Sequence, residues 1–434
     1  MDMVSAFIYN LFLTVGVIVF APLLFVKVIL TPKYRSRSAK RLGFGLGQRP
    51  GGAGSGPRIW VHALSVGEVA SARNLVQELR HSYPQGFILF SSATRSGESF
   101  ARSTLHGYVD CFVPFPFDLL VSVKRLVSWA RPDLFILVET DFWPNFLTEL
   151  QRRDIPTLLV NGRASDSSFS RYRKLRWLFS PVFNCFQALA MQTEQDAISM
   201  RQLGVAPERL VVLGNLKYDA ALPGSSVKAG LDRVALQIPA HALVWVAGST
   251  HRGEEEIIFG AFQKLAQSYA SLFLIVAPRN VERGAEVAEL AARRGLAVSR
   301  RSLGETGEGS VLILDTLGEL ASVYALCDVA FIGGSLVPQR GHNPLEPAVY
   351  GKPVLFGPHM EDFAEISSDF LAVGGARQVH DADELCGGLS RLLADSVERE
   401  RVGRQAQTLV VSRRGVTEAH LALIRRVLAR EERG

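Results

Sequence analysis

Four cysteines in 434 residues, Cys111, Cys185, Cys327 and Cys386, stand far apart with no CxxC pair. That spacing indicates neither a metal knuckle nor a disulfide framework, and it fits buried thiols in a reducing compartment. The chain has no Gly-x-x-x-x-Gly-Lys phosphate loop and no Gly-x-Ser-x-Gly elbow, which removes P-loop NTPases and α/β-hydrolases. His62, His251 and His342 lack metal-ligand spacing, so no metal cofactor is expected. Basic charge is also missing from most of the chain. Residues 1–58 hold eight bases against one acid, leaving a net charge of −1 on the rest of a molecule whose total is +6. The basic character belongs to one segment, so nucleic acid is not an expected partner.

What is present begins with an apolar run from Val4 to Leu30, followed by cations including Lys33, Arg35, Arg37, Lys40 and Arg41. About 20 apolar residues cross a bilayer core. Cations on the C-terminal flank place that flank in the cytoplasm, the reverse of a cleaved signal peptide. A spanning helix and a helix lying in the interface both fit, and each puts the protein on a membrane.

A Gly/Pro-rich linker at residues 49–57 leads into short apolar runs alternating with helical patterns. Strands are expected at Ile59–Ser65, Phe87–Thr94, Cys111–Pro114, Leu134–Glu139, Thr157–Val160, Ala188–Gln192 and Leu210–Leu213. A second set falls at Leu243–Gly248, Leu272–Ala277, Val311–Leu314, Val329–Gly333 and Pro353–Phe356. Continuous apolar strands between helices imply an α/β fold with parallel sheets covered on both faces. A change near Tyr218–Ile238 separates two such units. Parallel sheets bind ligands beyond the carboxyl ends of their strands, so two facing units would form a cleft.

The strand-end loops carry the chemistry. In His62-Ala-Leu-Ser65-Val-Gly67-Glu68, Glu68 falls in the first helical turn, as a backbone cap or as a general base toward an acceptor hydroxyl. Glu139 and Asp141 close the fourth strand, where Asp141 fits a helix cap better than Glu139 does. Lys217 follows the last strand of the first unit, either solvated or neutralising a phosphate. The second unit offers five candidate anion loops: Ser249 to His251, Pro278-Arg279, Gly318-Glu319-Leu320, Gly333 to Ser335, and Asn343-Pro344-Leu345-Glu346. Together they favour a bound nucleotide. Between Phe169 and Phe179, the cations Arg171, Arg173, Lys174 and Arg176 interleave with four aromatics and no acid, which suggests an interfacial helix against anionic lipid. Asp381-Ala-Asp383 reads as a helix cap.

In this order the motifs resemble the Kdo transferases, lipid A glycosyltransferases that use CMP-Kdo, from Arg41-Leu42-Gly43 through to the final helical region. The resemblance implies a GT-B fold of two Rossmann-like domains facing across a cleft, with an N-terminal membrane anchor helix. The expected divisions are an anchor at 1–32, a basic segment and linker at 33–58, an acceptor domain at 59–220, a CMP-Kdo domain at 221–405, and a helical segment at 406–434 returning to the first domain. It implies Glu68 as general base, with Glu139 and Lys217 stabilising the transition state. Donor contacts would fall on Pro278, Arg279, Gly318, Glu319, Leu320 and Asn343 through Glu346, joined by Ser249, His251 and Ser335. Ser65, Gly67 and the four cations would face the acceptor and membrane. Asp141 stands where a second Glu is usual, Asn280-Val281 where a His-Pro pair is, and Arg340 where a Gly is. The implied reaction is inverting, metal-independent transfer to a lipid A precursor at the cytoplasmic face of a bacterial inner membrane, without an obligate protein partner. A GT-B transferase using another nucleotide sugar and a catalytically dead membrane scaffold are the alternatives.

Overall fold

A computed structural model describes residues 3–30, 32–47, 56–164, 166–221, 231–304 and 309–431. The chain divides into two compact units, Met1–Ala220 with Gly415–Gly434, and Ala221–Arg414.

The first unit holds seven strands: β1 (Arg58–His62), β2 (Phe87–Ser92), β3 (Cys111–Pro114), β4 (Leu134–Val138), β5 (Thr157–Gly162), β6 (Ala188–Met191) and β7 (Leu210–Val212). They pair in the order β3-β2-β1-β4-β5-β6-β7, every pair parallel. Alternate residues supply the two covered faces. Trp60, Leu89 and Phe135 join one apolar cluster, whereas Ile59, Val61 and Phe90 join the other. The second cluster is completed by Val416, Leu421, Ile424, Val427 and Leu428 of the helix Val416–Glu431, so the chain's last helix packs on this sheet. The strand order reverses between β1 and β4, and such a switch point opens a crevice at the carboxyl ends of the two strands.

The second unit repeats the plan with β8 (Leu243–Thr250), β9 (Leu272–Pro278), β10 (Val298–Arg300), β11 (Val311–Ile313), β12 (Val329–Ile332), β13 (Val354–Phe356) and β14 (Ala376–Gln378). The order is β10-β11-β9-β8-β12-β13-β14, again all parallel, with the reversal between β8 and β12. The helix Ser396–Ser412 stays with this unit, so the return begins at Gly415 and not at 406. Close packing explains this: a Cβ on Gly403 would lie 1.9 Å from the Gly351 carbonyl, and one on Gly375 would lie 2.8 Å from the Ala406 backbone.

The apolar N-terminal run forms one helix, Met3–Leu30. Among the described residues no helix is long and apolar enough to cross a membrane; the side chains from residue 20 to 36 lie outside them. The helix is tied to the first unit by polar contacts. The Tyr9 hydroxyl donates to Asp118 Oδ2 at 2.8 Å, and Asn10 and Asn145 exchange amide hydrogen bonds at 3.0 and 2.9 Å. Further along, Arg41 Nε donates to the Phe115 carbonyl at 2.8 Å, and Arg37 pairs with Glu98 at 3.4 Å. Part of the expected basic linker is therefore docked structure.

Candidate functional site

Glu68 and Glu139 follow β1 and β4, the two strands at the switch point of the first sheet. Glu68 lies in the first turn of the helix Val66–Ser82 and is 6% exposed. Its Oε2 accepts the Leu64 amide, so the capping role is partly realised, while the carboxyl stays close to other acids. Burial, then the neighbouring Glu139, push it up to about 9, against the Leu64 hydrogen bond and Lys217. The three groups expected to act together therefore share one electrostatic environment.

Glu139 and Asp141 have φ of 61° and 135°, left-handed values that are costly for side chains of this kind. Such strain persists where surrounding contacts over-determine it, and it clusters at functional sites. Ser71 Oγ and Asn161 Nδ2 each donate to Glu139 Oε1 at 3.2 Å. Asp141 does not cap the helix Pro144–Arg152. Its Oδ2 lies 2.9 Å from His62 Nε2, and Asp118 caps instead, accepting the Asn145 and Phe146 amides at 2.9 and 2.8 Å. His62 is fully buried, with Nδ1 3.0 Å from the Ser91 carbonyl and its ring against Phe115.

Asn161 has no counterpart among the expected residues. It sits at φ 55° where the β5–β6 register slips, a bulge that re-aims its side chain. Its Oδ1 accepts the Leu216 amide at 2.9 Å while its Nδ2 holds Glu139. Its backbone amide donates to His420 Nε2 of the last helix at 3.2 Å, and its carbonyl accepts from Gln192. Gln192 in turn accepts from Asn215 Nδ2 at 3.0 Å, and Asn215 Oδ1 receives the Lys217 amide at 3.0 Å. One chain of hydrogen bonds thus ties the Glu139 carboxylate to the backbone that carries Lys217. The signal for Asn161 in the sequence is an Asn-Gly pair directly after the apolar run Thr157–Val160.

In the second unit Ser249, at φ 58°, lies near the end of β8, His251 follows that strand, and Gly333 to Ser335 follow β12. The latter loop does not offer free amides. Glu254 accepts the amides of His251 (2.9 Å), Gly334 (2.7 Å), Ser335 (3.0 Å) and Leu336 (3.0 Å). The Ser335 hydroxyl donates to the Ile332 carbonyl and accepts the Gly357 amide, so this residue is structural and not a donor contact. Glu319 is buried and engaged by Arg301 at 3.2 Å and by Thr316, which leaves its predicted donor role to its backbone. Gly318, at φ 79°, opens the short helix Leu320–Val323. Pro278 ends β9, and the Arg279 amide bonds the Thr250 carbonyl at 3.0 Å. Asn343 donates to Glu346 Oε1 at 3.3 Å and its own Oδ1 accepts the Leu345 amide; Pro344 caps the helix Leu345–Ala348. Burial raises Glu346 above the usual carboxylate range. Among the described residues, no group of three or more His, Cys, Asp or Glu side chains could hold a metal ion.

The aromatic and basic stretch forms two helices, Asp166–Lys174 and Arg176–Phe183. Phe169, Tyr172 and Phe179 pack on the core: the Tyr172 ring meets Phe142 and Phe183 edge-on, and Phe179 lies tilted against Tyr172 and stacked on Phe183. Arg171, Arg173, Lys174 and Arg176 are exposed, together with Leu175 and Trp177. Asp381 is the cap it was expected to be, accepting the Asp383 and Glu384 amides at 2.9 Å.

A UDP-GlcNAc 2-epimerase from Neisseria meningitidis superposes on 82% of this chain and 98% of its own, with a TM-score of 0.58 at 12% identity. That likeness concerns fold, and the fold is of the GT-B class, two parallel α/β units in one chain. A family profile described as 3-Deoxy-D-manno-octulosonic-acid transferase (kdotransferase) matches residues 36–220. The 3-deoxy-D-manno-octulosonic acid transferase of Haemophilus influenzae is 35% identical over 93% of this chain and 94% of its own length. That of Aquifex aeolicus is 31% identical over 79% and 87%. The chain belongs to this family of glycosyltransferases, and its activity is transfer of 3-deoxy-D-manno-octulosonic acid, Kdo.

Proposed function

We propose that the chain moves Kdo from CMP-Kdo to a sugar hydroxyl of a lipid A precursor, with inversion and without a metal. The reading is carried by the meeting of Glu68 with Glu139 at the β1/β4 switch point. Glu68 takes the hydroxyl proton as the oxygen attacks the anomeric carbon, and the bond to the phosphate breaks with its electron pair going to CMP. Arg279 and Lys217 are cations placed after β9 and β7, suited to the charge that develops on the leaving phosphate.

The test is to offer a tetra-acylated lipid A precursor with CMP-Kdo, a CMP-sialate or UDP-sugars, and weigh the products. A mass gain of Kdo with the first donor only is expected. Transfer from a UDP-sugar would replace the reading with that of another GT-B transferase, and no transfer from any donor would leave a membrane scaffold.

The same reading places the enzyme on the cytoplasmic face of the inner membrane, with the Met3–Leu30 helix as anchor. Exposed Phe7, Leu11, Phe12, Val15 and Ile18 on that helix support it, as do the exposed cations beside Trp177. The full chain is expected to float with anionic vesicles, and a chain lacking residues 1–30 to bind them only at low salt. Equal flotation of both chains at high salt would remove the anchor from this account.

Asn161 acts through Glu139 and the Leu216–Lys217 backbone, so it is a positioning residue. Asn161→Ala is expected to lower kcat by about 10–100-fold while CMP affinity stays unchanged. Asn161→Asp, which keeps the acceptor for the Leu216 amide but opposes Glu139, should also move the pH profile to higher pH. A loss confined to thermal stability would make Asn161 merely structural.

A further inference from the structure

The mechanism so far leaves one pair of titratable side chains in the second unit unused. His251 follows β8, and His342 lies before the helix Leu345–Ala348. Their Nε2 atoms are 2.9 Å apart, their ring planes differ by 6°, and their centroids are 5.1 Å apart. An imidazole nitrogen lies about 1.1 Å from its ring centre, given ordinary C–N bond lengths. One such radius at each end of the 2.9 Å contact accounts for the whole centroid separation. The rings therefore lie end to end in a common plane, with no face-to-face stacking. Gly334, at φ 67°, passes close by: a Cβ there would stand 3.1 Å from His342 and 3.3 Å from His251.

An end-to-end contact of this kind is an N–H···N hydrogen bond, with one ring donating from Nε2 and the other accepting there. The couple can gain one proton on the outer nitrogen of the donating ring, which leaves the central bond intact and charge-assisted. A second proton would have to occupy the accepting nitrogen and would set two N–H groups against each other. The capacity of the couple is one.

Its surroundings set when that proton is held. Arg279 faces both rings, Arg283 faces His251, and Asp362, itself paired with Arg340 at 2.8 Å, faces His342. Glu254 accepts the His251 amide but is committed to three more amides. Burial and Arg279 lower both rings, His342 to about 4, so the couple is neutral when the site is empty. An anion on Arg279 reverses that balance. In the transfer reaction the phosphodiester of the donor carries one negative charge and the released nucleoside monophosphate carries two, while the acceptor's proton goes to Glu68.

We propose that the His251–His342 couple is a one-proton counter-charge for the nucleotide phosphate, taking a proton from solvent as the leaving group gains its second negative charge and returning it when the nucleotide departs. This rests on the CMP-Kdo reading above, which already counts His251 among the donor contacts, and adds to it His342, the coupling of the two rings and a stoichiometry.

The test is calorimetric titration of the full chain with CMP and with cytidine near pH 8, in buffers of different ionisation heat. At that pH free CMP is a dianion, its second ionisation lying near about 6 as for other phosphate monoesters. Any proton taken up then belongs to the protein. Uptake approaching one proton per CMP and none with cytidine is expected. His342→Gln and His251→Asn should each abolish the uptake and weaken CMP about tenfold, with melting curves checked for fold. CMP binding without proton uptake by the unaltered chain overturns the couple's role, as does uptake that persists in both variants. No CMP binding at all overturns the nucleotide reading itself.

Discussion

Glu68→Gln is expected to cut turnover by about 10²–10⁴-fold, the range for loss of a general base, with CMP affinity intact. The physical reason is specific to this carboxyl. Burial and Glu139 push it up to about 9, so at pH 7 only about one molecule in a hundred carries it ionised. The rare ionised form is a correspondingly stronger base. In the unaltered enzyme kcat/KM should rise with pH along a limb centred near 9. Glu139→Gln removes a nearby negative charge and should move that limb to lower pH, whatever it does to the maximal rate. Stability should respond in the opposite sense. A carboxyl raised on folding contributes stability below its ordinary titration range and loses it as pH climbs through 9. Glu68→Gln has no charge to bury, so it should melt together with the parent at pH 5 and several degrees above it at pH 9.5. A flat kcat/KM profile from pH 6 to 9, or a Gln variant that turns over normally, would remove Glu68 from the chemistry.

The parallel α/β plan could be read before any coordinates because its carrier is the apolar strand run. All twelve expected strands occur, from Arg58–His62 to Val354–Phe356. The two that went unread, Val298–Arg300 and Ala376–Gln378, are three-residue strands at the two edges of the second sheet. An edge strand has one neighbour and tolerates Ser, Arg and Gln, so it carries no apolar run to notice. Side-chain partners were harder to foresee than positions. Asp141 reads as a cap because it precedes a helix, yet Asp118, 23 residues before Asp141, caps that helix instead. The Gly333–Ser335 loop looked open to anions because its residues are small. Only folding shows that Glu254 already fills it. Asn161 escaped notice for the same reason: its role lies in contacts with residues 22, 55 and 259 positions away.

Glu254→Ala should be the most damaging change in the second unit outside its apolar core. The carboxylate gathers four backbone N–H groups, one from the turn after β8 and three from the turn after β12. It thereby clamps the two loops at the switch point of the sheet. Burial raises its titration while the four amides hold it down, the balance expected of a carboxylate whose partners are all main-chain. Truncation leaves those donors unpaired, and each costs about 1–3 kcal/mol where water cannot reach it. Partial entry of water reduces the sum, so a fall of roughly 6–12 °C in the melting transition of this unit is expected. Glu254→Gln keeps the size but turns N–H donors toward N–H donors, and should lose most of the same stability. Because the clamp also sets His251 against His342, both variants should bind CMP at least about tenfold more weakly. On the proposed reading the clamp also narrows where phosphate can sit: amides already given to a carboxylate cannot cradle an anion, so within this unit Arg279, the histidine couple and the backbone of Gly318, Glu319 and Leu320 would receive it. If Glu254→Gln melted with the parent and bound CMP equally well, the loop would be free to take the phosphate on its own amides, and this assignment of the anion site would be wrong.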